Sequence, residues 1–225
     1  NRTVCIGGNS VSEHFIPAAK GSQYIDNLEG PESCNSYNML KLSEILSDET
    51  HDARYADFYE STMFNHILST QHPQTGGFVY FTSLRPQSYR IYSTANVSLW
   101  CCVGTGWENH SRYAHFIYTR SADNSTLYVN LFTPSELNAD DFRLTQENSY
   151  PERPSTKITL RKGGRFTLAI RHPWWTTDGY TVKVNGETVA IDVKPGESAY
   201  ARVERDWHEG DVVEVSIPME LRYEE

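Results

Sequence analysis

The sequence contains no run of lysine and arginine, and its formal net charge is -9 with a pI of about 5.4. Proteins that bind the phosphate backbone present clustered positive charge, so we expect no nucleic-acid partner. No apolar run approaches the length that spans a bilayer, and none has the form of a signal-peptide core, so we expect no membrane partner. Because the chain begins at Asn1 rather than methionine, we expect it to be part of a longer protein, whose compartment it does not reveal.

Cysteine is also scarce, yet two of the four cysteines are adjacent, in Trp100-Cys101-Cys102-Val103-Gly104-Thr105-Gly106. Neighbouring cysteines seldom pair with each other, because the Cα spacing and dihedral angle of a disulfide are hard to satisfy across one peptide bond. Of the other two, Cys34 lies in Pro31-Glu32-Ser33-Cys34, a proline-led helix start with a carboxylate in its first turn. Cys5 has no assigned role.

Glu32, Cys34, Cys101 and Cys102 together offer one oxygen and three sulfurs, a set that suits tetrahedral zinc. Residues two apart do not share a helix face, so Glu32 and Cys34 can meet one ion only at the helix entry, where the backbone is not yet regular. The free N–H groups and the positive dipole end at that entry also favour a thiolate. A second interpretation stays open at this point, in which the cysteines are buried as small hydrophobic residues.

The first half of the chain has helical periodicity. A composition of 38% hydrophobic and 22% charged residues indicates a globular chain, with room for one large domain or two smaller ones. Apolar residues recur at helical spacing in segments 31–47, 51–71 and 105–119, and a short strand-like segment covers 78–81. Glu60 falls among the aromatic residues of the second segment. The apolar face of the first segment comprises Met39, Leu40, Leu42, Ile45 and Leu46.

Glu13 has apolar neighbours in the sequence, namely Val11, Phe15 and Ile16. A carboxyl group held among them would be partly desolvated, which raises its pKa and suits it to donating a proton. The pattern therefore makes Glu13 a candidate general acid. The alternative is a surface glutamate that happens to have apolar neighbours.

The second half of the chain changes from helical periodicity to alternation. The alternation predicts strands at 126–132, 142–146, 157–160, 165–171, 180–189, 199–204 and 212–217. Asn185-Gly186 at the centre of one of these segments is the strongest short signal for a hairpin. We predict an all-β unit of short strands, a sandwich, and interpret it as structural support because it carries no catalytic constellation.

Three motifs resemble the zinc-dependent β-L-arabinofuranosidases, which comprise glycoside hydrolase family 127 and its relative, family 146. The motifs are Gly8-Asn9-Ser10-Val11-Ser12-Glu13-His14-Phe15, Gly30-Pro31-Glu32-Ser33-Cys34-Asn35-Ser36-Tyr37-Asn38-Met39-Leu40-Lys41-Leu42 and Cys101-Cys102-Val103-Gly104-Thr105-Gly106-Trp107-Glu108-Asn109-His110. The resemblance covers nearly the whole chain. It implies an α+β fold, with part of an (α/α)6 catalytic barrel contributed by three helices in residues 1–121 and an antiparallel β-sandwich in residues 122–225.

The resemblance also implies roles for individual residues. The zinc ligands of the family fall on Glu32, Cys34, Cys101 and Cys102, and the nucleophile falls on Cys101. The general acid/base falls on Glu13. Glu60 and Tyr80 match two sugar contacts, whereas other sugar-binding residues of the family, including several histidines, lie upstream and have no counterpart in this chain. The implied substrate is an L-arabinose-containing oligosaccharide or glycan.

The implied reaction replaces one carboxylate of the usual glycosidase pair by a thiolate. A thiol coordinated to zinc gives up its proton, whereas a free thiol is mostly protonated at neutral pH. Cys101 would attack the anomeric carbon while Glu13 protonates the leaving oxygen, and a water activated by Glu13 would hydrolyse the thioglycosyl intermediate with retention.

Two other hypotheses compete with the retaining glycosidase. In one, the zinc is structural and the chemistry belongs to Glu13 with Glu32 or Glu60 as a carboxylate pair. In the other, the chain is a sugar-binding or scaffolding fragment without activity, with aromatic stacking faces at Tyr80, Trp174 and Trp175. The plain alternative for the two tryptophans is a strand end packed at the domain junction.

Overall fold

The structure is a computed structural model that describes residues 3–221 and separates into two compact units. Among the described residues, the first unit comprises the chain up to Glu49 together with Phe58–Tyr113, and the second comprises Thr50–Asp57 and the chain from Ala114 onward. No helix in the described part of the chain is long and apolar enough to cross a membrane.

Residues 3–221 include four α-helices, α1 (Gln23–Asp26), α2 (Ser33–Thr50), α3 (Ala53–Thr62) and α4 (Cys101–Ser111). Helix α3 runs on through a π-turn and a 3-10 turn. The short helix α1 was not predicted. The predicted helix at 105–119 was wrong at both ends, because α4 begins at the cysteine pair and residues 118–120 form a strand.

Helix α2 buries a face that its apolar pattern did not indicate. Leu42 and Ile45 are 43% and 60% exposed, while the buried side includes Tyr37, Leu40 and Glu44. The buried side is rich in serine, which allows close approach, and Glu44 is paired there with Arg112 at 3.0 Å. Partner contacts of this kind override a weak hydrophobic pattern.

The segment between α3 and α4 is held by isolated bridges rather than by a regular sheet. Residues 78–81, predicted as strand-like, include one bridge from Phe78 to Gln71 and one from Val79 to Tyr92. Phe81 bridges Glu32, which immediately precedes α2. This segment therefore fixes the entry of α2.

The part of the second unit that the structure describes contains two sheets, and every strand segment expected from the alternation is found there. The strands are β1 (Tyr118–Arg120), β2 (Thr126–Val129), β3 (Ser135–Asn138), β4 (Arg143–Asn148), β5 (Ser155–Leu160), β6 (Gly164–His172), β7 (Thr181–Val184), β8 (Glu187–Thr188), β9 (Ala199–Trp207) and β10 (Val212–Ser216). One sheet has the order β1-β2-β6-β9 and the other β3-β4-β5-β10-β7-β8. Strands β1 and β3 were not predicted. The pair β2–β6 is parallel, whereas the other pairs are antiparallel.

Side chains from both sheets form a continuous apolar core that includes Leu144, Ile158, Leu168 and Val213. Strands β7 and β8 are joined at Asn185-Gly186, where both φ angles are positive (53° and 85°), as the tight hairpin turn requires. The predicted α+β fold, with part of a helical barrel followed by a β-sandwich, is confirmed, with four helices in place of three.

Candidate metal and catalytic site

The entry of α2 presents Glu32 just before the first helical turn and Cys34 within it. The Glu32 N–H donates to Ser10 Oγ at 3.0 Å, and the Ser33 N–H donates to the carbonyl of Tyr80 at 3.0 Å. These contacts hold the backbone in a non-helical path up to Ser33. The carboxylate and the thiol, two residues apart, can therefore point to one place.

The amino end of α4 brings the cysteine pair to the same place. Cys101 opens the helix after Trp100, whose backbone is extended (φ −78°, ψ 161°). Helix α4 packs closely against Phe78 at Gly106, where a Cβ would lie 2.5 Å from Cδ1 of Phe78. Only glycine permits this approach, whereas nothing lies within 4 Å of the equivalent position at Gly104.

The ligand atoms of Glu32, Cys34, Cys101 and Cys102, which we call the donor cluster, all lie within 4.8 Å of one another. Cys101 Sγ is 3.8 Å from Cys102 Sγ and 3.6 Å from a carboxylate oxygen of Glu32, and Cys102 Sγ is 3.8 Å from that oxygen. Tetrahedral coordination with metal–sulfur bonds of about 2.3 Å places two sulfurs roughly 3.8 Å apart. The donor cluster therefore offers four ligand atoms close enough together to hold one metal ion, and the Cys34–Cys102 sulfur distance of 3.1 Å is shorter than tetrahedral spacing.

The three cysteine thiols of the donor cluster differ in pKa. The Cys34 thiol donates to Cys102 Sγ at 3.1 Å. That hydrogen bond lowers the pKa of Cys102 to about 7, and together with burial it raises the pKa of Cys34 far above its usual value. Burial also raises the pKa of Cys101. Of the three thiols, Cys102 is therefore the one whose ionisation its neighbours favour.

Tyr80 connects the donor cluster to Glu13. The Cys101 thiol lies 3.3 Å from the Tyr80 hydroxyl, which in turn donates a short hydrogen bond to Glu13 Oε1. The bonds to Cys101 and Glu13 raise the pKa of Tyr80, so the hydroxyl keeps its proton and can donate it. The structure therefore brings the predicted nucleophile, general acid and tyrosine together.

Accessibility separates the members of the donor cluster. Glu32, Cys34 and Cys102 are buried, at 8%, 7% and 1% exposure, whereas Cys101 is exposed. Cys101 lines a cleft of about 490 Å³ with Cys34 and Thr105, and Tyr80 lines a second cleft of about 670 Å³ with Trp100. Of these three sulfurs, the one expected to react is the exposed one.

The reason given for choosing Glu13 was wrong, although the residue lies at the site. Its side chain is exposed in the described part of the chain, and Phe15 is 53% exposed, so these neighbours do not enclose the carboxyl group. The cause is local: Val11 bridges His14 in a tight turn with Ser12 at φ 51°, which separates residues that are adjacent in sequence.

Several other expected residues lie elsewhere. Glu60 is buried on α3, and its sugar contact stays a prediction. Cys5 is exposed and free. In the second unit, Trp175 packs against the sandwich core and Trp174 is 40% exposed, and their position at a domain junction stays a prediction.

Thr105 was missed by the sequence reasoning. Its hydroxyl lies 3.0 Å from Cys34 Sγ. The spacing could have identified it, since Thr105 follows Cys101 by four residues and shares its helix face once α4 is known to begin at Cys101.

Comparison with known proteins gives two matches to family models. One, described as the β-L-arabinofuranosidase GH127 catalytic domain, matches residues 1–115, and the other, described as the GH127 middle domain, matches residues 126–219. A comparison with curated protein sequences finds no match.

Solved structures similar to the chain include a GH127 β-L-arabinofuranosidase from Geobacillus stearothermophilus T6, at 23% identity and a TM-score of 0.76 over 98% of this chain and 37% of that one. A second is a glycoside hydrolase, at 27% identity and a TM-score of 0.69 over 84% of this chain and 34% of that one. A third is a GH127 β-arabinofuranosidase, at 27% identity and a TM-score of 0.69 over 85% and 33%. The chain spans about a third of the length of these structures.

Proposed function

Because the chain belongs to the GH127 β-L-arabinofuranosidase family, we propose that it contributes the reacting groups of a retaining glycosidase that releases L-arabinofuranose from glycans or oligosaccharides. The observation that carries this proposal is the link from an exposed thiol in a four-donor cluster, through Tyr80, to the carboxylate of Glu13. The chain spans a third of the solved structures it matches, so turnover is proposed for the full-length protein.

The proposed cofactor is Zn²⁺, held by Glu32, Cys34, Cys101 and Cys102. One carboxylate oxygen and three sulfurs within 4.8 Å of one another form a donor set that suits this ion. When bound, the ion would supply a positive charge that keeps its thiol ligands deprotonated at neutral pH. Sulfur ligands disfavour the hard cations Mg²⁺ and Ca²⁺, which take oxygen ligands.

Cys101 and Glu13 divide the chemistry between them. The Cys101 thiolate attacks the anomeric carbon, and the Glu13 carboxyl group gives its proton to the leaving oxygen as the glycosidic bond breaks. The ionised Glu13 then takes a proton from water, whose oxygen displaces the sulfur and releases the sugar. Because both displacements invert the anomeric carbon, the configuration is retained.

The spacing of the two groups supports retention. The Tyr80 hydroxyl contacts both, at 3.3 Å from Cys101 Sγ and through a hydrogen bond to Glu13. With a normal O–H···O length of about 2.7 Å, the sulfur and the carboxylate oxygen lie at most roughly 6 Å apart. Inverting glycosidases hold their two groups about 6.5–9.5 Å apart to admit a water, and retaining ones about 5–5.5 Å.

Tyr80 and Glu60 are the proposed sugar contacts. The Tyr80 hydroxyl contacts both Cys101 and Glu13. A hydroxyl group of the sugar can take the place of either residue as its hydrogen-bond partner. Glu60 is buried at 4% exposure, and a buried carboxylate that reaches a sugar hydroxyl would add orientation.

A structural metal site is the main rival, because four protein donors can close the coordination shell. Glu13 would then work with another carboxylate. Two observations favour the reacting thiolate instead: Cys101 is exposed while the other three donors are buried, and Cys101, rather than a second carboxylate, contacts the tyrosine bonded to Glu13.

The test uses aryl and alkyl β-L-arabinofuranosides with good and poor leaving groups on the full-length protein. Glu13→Gln should lose about 10²- to 10⁴-fold in kcat/KM on the poor leaving group and far less on the good one, because only the poor one needs a proton. Glu29→Gln is the matched control, since Glu29 is an exposed glutamate that bonds Ser12, the residue before Glu13. Equal losses on both substrates would rule out Glu13 as the acid.

The nucleophile is tested by mass spectrometry with a mechanism-based inhibitor of L-arabinofuranose configuration. The expected adduct lies on the peptide that contains Cys101, and Cys101→Ala should abolish both adduct and turnover. A Cys101→Asp variant with normal turnover would favour the structural metal site.

A further inference from the structure

The three sulfurs of the donor cluster have different polar neighbours. Cys101 Sγ faces the Tyr80 hydroxyl at 3.3 Å, and Cys34 Sγ faces the Thr105 hydroxyl at 3.0 Å. Cys102 Sγ lies 3.8 Å from the backbone carbonyl of Tyr80, an acceptor. The tyrosine and threonine hydroxyls thus each lie within 3.3 Å of one sulfur, and of these two only the tyrosine has a part in the proposed reaction.

The position of Thr105 is determined by the helix. It follows Cys101 by four residues and Cys102 by three, so its side chain shares their face of α4. A threonine side chain has few allowed rotamers in a helix, and its hydroxyl usually turns to a carbonyl one turn earlier. Here Thr105 Oγ1 is 3.5 Å from the Cys101 carbonyl and 3.0 Å from Cys34 Sγ, so the sulfur is the closer partner.

The direction of this bond follows from the chemistry of a metal ligand. A coordinated sulfur is a thiolate without a proton and can only accept, so the Thr105 hydroxyl must be the donor. Three thiolates and a carboxylate also bring more negative charge than a divalent cation neutralises. Hydrogen-bond donors beside the ligands offset that excess and fix the orientation of each ligand.

We infer that Thr105 is a positioning residue of the metal site, whose hydroxyl donates to Cys34 Sγ and keeps that sulfur as a fixed ligand while Cys101 faces the substrate. The inference rests on the metal site of the proposed function. In this role Thr105 acts through Cys34. It acts on Cys34, on the other helix that contributes donors, and so links α4 to α2 through the site.

The inference is tested on the purified chain through metal affinity, so turnover is not required. Thr105→Val removes the hydroxyl at nearly constant volume, and we expect zinc affinity, measured by competition with a chromogenic chelator, to fall about 10- to 100-fold. Thr105→Ser restores the hydroxyl and should bind close to the unmodified chain. With Co²⁺ in place of zinc, the sulfur-to-metal charge-transfer band should shift in Thr105→Val and not in Thr105→Ser.

Thr82→Val is the matched control. Thr82 is also buried in the first unit, at 4% exposure, and its hydroxyl has no hydrogen-bond partner among residues 3–221, so this variant should keep affinity and spectrum. If Thr105→Val does not fold, Thr105→Ser against Thr105→Ala gives the same comparison of a hydroxyl with none.

The outcomes separate the two proposals. A Thr105→Val chain that binds zinc like Thr82→Val overturns the role of Thr105 and leaves the proposed function intact. Equal losses in Thr105→Ser and Thr105→Val overturn it too, because the hydroxyl would not be the cause. An unmodified chain that binds neither zinc nor Co²⁺ overturns the metal site itself, and the role of Thr105 with it.

Discussion

Removing the charge of Asp57 should destabilise the second unit strongly. Asp57 is 4% exposed, and its partner Arg171 is fully buried, with Nη1 2.5 Å from Asp57 Oδ1. The other carboxylate oxygen accepts from the Trp174 N–H at 3.2 Å and from the Ser198 hydroxyl. Asp57→Asn keeps the size of the side chain, but it removes the negative charge and replaces one acceptor by a donor.

The magnitude follows from the burial of the ion pair, because Arg171 is fully buried and Asp57 is 4% exposed. Arg171 Nε also donates to the Asn130 carbonyl at 2.6 Å, and its guanidinium lies 5.1 Å from the centre of the Phe132 ring. Breaking a buried ion pair from one side costs about 3–5 kcal/mol. At about 2–4 °C per kcal/mol for a chain of this size, we expect Tm to fall by roughly 6–20 °C.

Asp141→Asn is the control, because it also removes the negative charge of an aspartate that forms an ion pair with an arginine in the second unit. Asp141 and Arg120 are 48% and 59% exposed and 3.5 Å apart, so this change should cost less than about 1 kcal/mol. Both variants are compared by thermal and by urea unfolding, with two optical probes to check for a single transition. A loss below about 1 kcal/mol in Asp57→Asn, equal to that of the control, would refute the reasoning.

Two further predictions concern stability. Gly104→Ala should raise the unfolding free energy by up to about 1 kcal/mol, because it replaces a helical glycine that has open space around it. Gly106→Ala should lower the unfolding free energy by about 1–3 kcal/mol, because the new methyl group would clash with Phe78. Thermal unfolding in the presence of a chelator measures both changes. His66 is fully buried and bonds Ser36, and burial lowers its pKa to about 4, below the unfolded value of about 6.5. Between pH 6.5 and 4 the unfolded chain therefore binds a proton at His66 that the folded chain does not bind, so the unfolding free energy should fall by roughly 3 kcal/mol over this range. In urea unfolding, His66→Gln should lose less stability than the unmodified chain over the same pH range.

The helical periodicity predicted α2 and α3, but it could not position α4. A cysteine pair is a weak helix-start signal, and Gly104 and Gly106 read as a turn, so the predicted helix began four residues late. In the structure, residue 106 lies within the helix, and it is a glycine because Phe78, distant in sequence, leaves no room for a side chain there. A contact of that kind has no local signature.

The β half was predicted more completely because alternation is a local consequence of one buried face per strand. Strands β1 and β3, of three and four residues, were missed. The domain boundary between residues 121 and 122 stays a prediction.

The sequence by itself determined the fold class and the hairpin at Asn185-Gly186, and it indicated the four residues of the donor cluster, because these depend on residue type and on periodicity over short stretches of sequence. Only the tertiary structure decided which sulfur is exposed, that Tyr80 joins Cys101 to Glu13, and that Thr105 lies beside Cys34. These relations depend on distances between side chains on separate elements, and packing fixes such distances only when the whole unit folds.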